Sequence, residues 1–146
     1  TAEFGGVVDL NDLHRWAAWF LIGSNAFVGV WAVAAQYLEA IRHRALWWAT
    51  GVAQVSTIVV ATVGALIVNR NDIELDSFHA LYGFSTIFAV AILYSYRNSP
   101  FISDKLHLLY GCGGLFIMGL GLRATFLTPS NGLEGLAAVI AVAPLR

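Results

Sequence analysis

Residues 46–68 read LWWATGVAQVSTIVVATVGALIV, with no Asp, Glu, Lys or Arg among them. Wound as an α-helix, such a run covers the roughly 30 Å hydrocarbon core of a bilayer. Lipid offers no hydrogen bonds to the backbone, so a spanning segment must pair its own peptide groups, which a helix does and a lone strand does not. Three further runs share the pattern: about Leu13–Tyr37, Phe78–Tyr96 and Leu106–Leu127, each without an acid or a base in its central part.

The composition agrees. The chain is 58% hydrophobic and 12% charged, with a mean hydropathy of +0.71. A water-facing surface so poor in charge would carry large apolar patches and aggregate, whereas a lipid-facing one needs no charge. Three short connectors, Gln36–Arg44, Asn69–Asp76 and Arg97–Lys105, force antiparallel neighbours. The expected fold is therefore all-α, an up-down-up-down bundle of four transmembrane helices over residues 1–127. Residues 128–146 form a second region. The stretch Thr128-Pro129-Ser130-Asn131-Gly132 breaks the fourth helix, and Leu133–Ala143 is apolar but only half a span long. It reads as an interfacial helix, a re-entrant piece or the start of a further span. Trp16, Trp19, Trp47, Trp48, Tyr37, Tyr94 and Tyr96 lie near helix ends, as anchors at the headgroups do.

Several functions find no footing. A net charge of −1 gives no footprint for nucleic acid. Cys112 is the single cysteine, so no internal disulfide forms, and no Cys-His metal spacing is present. No basic n-region with a small-residue cleavage site marks a signal peptide. No Ser-His-Asp signature, phosphate-cradling glycine loop or His-Glu-x-x-His motif occurs, and no catalytic residue is assigned. Proton and ion pumps place an acid or base in mid-membrane, and these spans carry none.

Two stripes stand out. Thr50, Gln54, Thr57, Ala61 and Gly64 recur at spacings of four and three on the second helix, and His107, Gly111, Gly114, Met118 and Gly121 do so on the fourth. Residues so spaced share one helix face. Small ones let two backbones approach in lipid, so Gly111, Gly114 and Gly121 are expected to pack against another helix. The alternative is that they make room for a flat cofactor. Asn25 and Gln54 lie at similar depth, where an amide in the hydrocarbon usually hydrogen-bonds to a neighbouring helix.

A local echo joins the third and fourth helices. Asp76-Ser77-Phe78-His79-Ala80-Leu81-Tyr82-Gly83 matches Asp104-Lys105-Leu106-His107-Leu108-Leu109-Tyr110-Gly111, and Asn11-Asp12-Leu13-His14 is a weaker third copy. The acid or amide reads as an N-cap, with the His in the first turn. Haem b needs two axial ligands at equal depth on facing helices, commonly His. The first and third helices run in the same direction, so His14 and His79 lie at one membrane face and are the best ligand pair. Asp12 or Asp76 would hold the second ring nitrogen, and Ala18 and Gly83, each four residues on, would give room. His43 and His107 form a weaker pair at the other face.

The leading expectation is a small non-catalytic accessory subunit of a larger membrane complex, respiratory or transport in kind, in the plasma membrane of a bacterium. Its partners would be the lipid bilayer and other membrane subunits, with no cofactor. The alternatives are a haem-b cytochrome using His14 and His79, and an oligomeric small-solute carrier or channel.

Orientation follows the basic residues of the short loops. Arg42, Arg44, Arg97 and Lys105 flank the first and third connectors, against Arg15, Arg70, Arg123 and Arg146 on the other side. The adjacent Arg42 and Arg44 place those two connectors inside and both termini outside. In a Cys112→Ser background, an impermeant thiol reagent should label Ser130→Cys from the outside and leave Glu39→Cys untouched. Equal labelling of both sites would overturn the assignment.

Overall fold

A computed structural model describes residues 9–126 apart from 73. The expected break at Thr128–Gly132 and the apolar stretch Leu133–Ala143 lie outside the described residues. The described residues form an all-helical bundle of four α-helices: α1 (Leu10–Tyr37), α2 (Arg44–Asn71), α3 (Ser77–Tyr96) and α4 (Leu106–Phe126). Each is long and apolar enough to cross a membrane, which makes this a multi-pass membrane protein. Around the bundle α1 packs on α2 and α4, α3 on α4 and, more lightly, α2 on α3, so α1 and α3 face each other across a diagonal.

The seam between α1 and α4 is the closest. A Cβ added to Gly111 would lie 2.7 Å from the Val33 backbone nitrogen and 2.9 Å from the Gly29 carbonyl. At Gly114 it would meet the Asn25 carbonyl at 3.1 Å and the Gly29 Cα at 3.2 Å, and at Gly121 the Ile22 side chain at 2.9 Å. Gly29 answers from α1, where a Cβ would lie 3.0 Å from the Leu115 nitrogen. At Gly111, Gly114 and Gly29 the obstacles include backbone, which cannot swing aside, whereas Gly121 meets only the side chains of Ile22 and Leu21. Gly113, on the adjoining face, receives Leu93 of α3.

The helix ends refine the sequence reading. α1 is capped by Asp9, whose side chain accepts from the Asn11 amide, and not by Asn11 or Asp12. Asp12 instead pairs with Arg15 at 2.9 Å. Asp76 caps α3 as expected and accepts from the His79 amide at 3.2 Å. Its echo Asp104 does no such work, because it lies in a 3₁₀ turn over Pro100–Lys105. The start of α4 is held by Gln36, which accepts from the Leu108 amide at 3.2 Å and donates to the Asp104 carbonyl at 2.9 Å. The first connector contains a 3₁₀ turn, Glu39–Ile41. Arg42 folds back over the end of α1 and donates to the carbonyls of Ala35 and Gln36. Those carbonyls lack intrahelical donors, and a cation at a helix C-terminus also complements its dipole. α2 ends at Asp72, in the left-handed region at φ 49°.

Polar groups inside the bundle converge on one carbonyl. Ala53 accepts from Asn25 Nδ2 at 3.3 Å, from Ser56 Oγ at 2.6 Å and from Thr57 Oγ1 at 3.3 Å. Asn25, only 1% exposed, thus ties α1 to α2, as an amide in hydrocarbon should. Gln54, one residue on from Ala53, is not its partner, and its Nε2 is buried with no hydrogen bond. Tyr110 Oη donates to the Leu93 carbonyl at 2.9 Å and so joins α4 to α3. That carbonyl is free because the Arg97 amide turns to Tyr94 instead.

The glycine seam makes a sharp contrast available. Gly111→Ala should lower stability by about 1–3 kcal/mol, the usual range for overpacking. Gly23→Ala and Gly119→Ala, where an added Cβ meets nothing within 4 Å, should leave it unchanged. Denaturation of the three variants in a mild detergent reads this, and equal midpoints would contradict the seam.

Candidate functional site

The structure brings His14 and His79 together. Their ring centroids lie 5.9 Å apart with the planes tilted by 55°. The position follows from chain direction. α1 and α3 run in the same sense, and each carries its histidine near its start, so the two rings arrive at the same depth from opposite corners of the bundle.

Each ring is held differently. The Nδ1 of His79 is 3.1 Å from the carbonyl of Ala124, in the last described turn of α4. A carbonyl only accepts, so Nδ1 carries the proton and Nε2 keeps its lone pair. That is how a metal-binding histidine is commonly fixed, with a backbone acceptor on the nitrogen that does not bind. Asp76, expected in this role, is engaged with the His79 amide. Ala124 has no signal in the local sequence, because the bond spans 45 positions and uses a backbone group.

His14 is inserted between helices. A Cβ on Gly64 of α2 would sit 3.1 Å from its Cε1 and 3.5 Å from its Nδ1. Gly64 therefore clears the space the imidazole fills. The Nδ1 of His14 is buried and has no hydrogen-bond partner. A buried polar atom left unpaired costs about 1–3 kcal/mol, and the backbone of Val60 on α2 lies close to this ring. Gly83 of α3, four residues on from His79, has open space where its Cβ would be.

The second expected pair does not assemble. His107 packs on Trp47, with ring centroids 5.3 Å apart, and Trp47 in turn meets Tyr110 edge-on at 5.3 Å. His43 is the exposed residue that precedes α2 at its N-terminus. Of the packing residues, Asn25, Gly111, Gly114 and Gly121 lie in the helix contacts described above, while Gln54 buries an unpaired amide nitrogen.

Two imidazoles on opposite sides of one metal, each bound at about 2 Å, hold their ring centres roughly 6 Å apart. The observed separation fits that arrangement. Among the described residues no group of three or more His, Cys, Asp or Glu is placed to hold a metal ion, so the pair stands as two protein ligands and no more. A bare ion wants further ligands, and a macrocycle that supplies four of its own needs only two. Comparisons with protein-family models, with curated proteins and with solved structures find no match.

The burial of His14 has a direct readout. On treatment with diethyl pyrocarbonate, His43 should be modified fast and His14 slowly, followed by mass spectrometry. Gly64→Leu should expel the imidazole and raise the His14 rate severalfold. Equal rates at His14 and His43 in the unaltered protein would contradict the site.

Proposed function

We propose that the protein is a b-type membrane cytochrome, a one-electron carrier whose haem is held by His14 and His79. One observation carries the reading: two half-buried histidines from non-adjacent helices meet with their ring centres at the separation a shared axial site needs. The backbone bond from His79 to Ala124 supports it. When bound, haem supplies the reversible exchange of one electron at its iron. The protein's own part is to fix the two rings and, through Ala124, to set the tautomer of His79. The site lies within the first turns of α1 and α3, close to one membrane face, where an electron partner outside the lipid comes within reach.

A second reading, an accessory subunit of a larger membrane assembly, draws support from an outward apolar groove. Leu13, Trp16, Ala17 and Phe20 of α1 line it with Val52, Val55, Ser56 and Val59 of α2. A partner helix or a lipid chain would fit there. The two readings are compatible, since a haem-holding helix bundle suits such an assembly. The solute-carrier alternative gains nothing from the packing of the described residues.

Absorbance of the full chain, produced with added haem and purified in mild detergent, tests the proposal. The expected spectrum is that of low-spin haem with two nitrogen ligands, with a reversible change on reduction. His14→Ala and His79→Ala should each abolish it while eluting as folded protein, and His43→Ala and His107→Ala should keep it. A colourless unaltered protein would defeat the cytochrome reading, as would retention of the six-coordinate spectrum in either ligand variant.

A further inference from the structure

We infer that Arg123 and Tyr82 form an anion seat beside the histidine pair, built to take the carboxylate edge of the bound cofactor. The inference rests on the haem reading and assigns a role to two residues that the axial site leaves unused. Arg123 Nε donates to Tyr82 Oη at 3.3 Å, and the guanidinium carbon stands 5.3 Å from the centre of the Tyr82 ring. The pair sits at the site by chain position. Arg123 immediately precedes Ala124, whose carbonyl holds His79, and Tyr82 follows His79 by three residues, one helical turn.

The donors are the right ones. Arg123 spends Nε on the tyrosine and keeps both terminal amino groups, whose fork matches a carboxylate. Tyr82 accepts that bond through its oxygen, so its own O–H proton remains free to donate. Among the described residues the ion pairs are Arg15 with Asp12 and Arg42 with Glu39, so Arg123 has no carboxylate partner there. A cation in the last turn of a spanning helix is usually tied to something, and here the tie is an aromatic ring and a neutral hydroxyl. The end of α4 carries about half a negative charge, which disfavours an anion, but the full charge of Arg123 outweighs it. Haem offers the matching shape, an apolar plate with two carboxylates on one edge. Such an edge belongs at the lipid boundary, where Arg123 is exposed. A lipid phosphate presents similar oxygens, so the test must separate the two.

Titration of the purified full chain with haem and with its dimethyl ester does this. The ester keeps the iron and the plate and loses both negative charges. The unaltered protein should bind the free acid about tenfold tighter, the size of one charge-assisted contact. Arg123→Gln and Tyr82→Phe should remove most of that preference while the axial-ligand spectrum stays, and Arg123→Lys should keep part of it. Equal and tight binding of acid and ester by the unaltered protein would overturn the seat and leave the cytochrome reading standing. So would a preference that survives in Arg123→Gln. Binding of neither compound would defeat the cytochrome reading and the seat with it. A parallel measurement in bilayers with and without anionic phospholipid covers the other source. If Arg123→Gln releases anionic lipid without touching the acid-to-ester ratio, the seat holds a headgroup and the inference fails.

Discussion

The close approach of the α1 and α4 backbones, Gly29 against Gly111 and Gly114, sets the rest of the bundle. Lipid tails are as apolar as the side chains, so no hydrophobic effect drives these helices together, and dispersion between closely fitted surfaces must do it. Absent side chains let the two backbones reach contact, and the contact fixes both the depth and the rotation of α1. α4 also organises α3, by a different face. Leu93 enters the gap at Gly113, and Tyr110 bonds the Leu93 carbonyl. α1 and α3 thus take their positions from one helix, and so do the histidines they carry. The Ala124 carbonyl completes the chain of dependence, since α4 holds His79 directly.

The interior shows how the bundle treats polarity. Asn25, Ser56 and Thr57 all turn to the Ala53 carbonyl, and Thr50 and Thr86 return their hydroxyls to their own helices. This is the economy demanded where water is absent. Among the described residues two buried side-chain atoms depart from it, the Nδ1 of His14 and the Nε2 of Gln54. The first belongs to the imidazole that lies against Gly64 of α2. Gln54 lies on the same α2 stripe, which runs from Thr50 to Gly64, and its amide nitrogen has no partner among the described residues.

Much of this was legible in the sequence. Segment length and the missing charges gave the four spans, because both report directly on hydrocarbon thickness. The glycine stripe on α4 was readable because helical spacing puts Gly111, Gly114 and Gly121 on one face. Which helix they meet was not, since that depends on tertiary contact. The pairing of His14 with His79 followed from chain direction and from similar distances to the helix starts. The weaker pair, His43 and His107, does not form, because His43 stays exposed ahead of α2, where its connector placed it, while His107 packs on Trp47. The repeated Asp-x-apolar-His pattern misled in a similar way. Asp76 caps its helix, but a 3₁₀ turn carries Asp104 elsewhere and Gln36 takes over its task. Backbone acceptors such as Ala124 leave no trace in side-chain patterns at all.

The central claim is that two imidazoles from α1 and α3 bind one iron. Electron paramagnetic resonance of the oxidised, haem-loaded full chain in bilayers bears on it most directly, because the signal reports spin state and axial field together. The account predicts a low-spin ferric signal of the bis-imidazole kind, converted to a high-spin signal when one histidine is replaced by Gly. Added imidazole should restore the low-spin form by filling the vacated position. A high-spin signal in the unaltered protein, or no haem signal at all, would contradict the account.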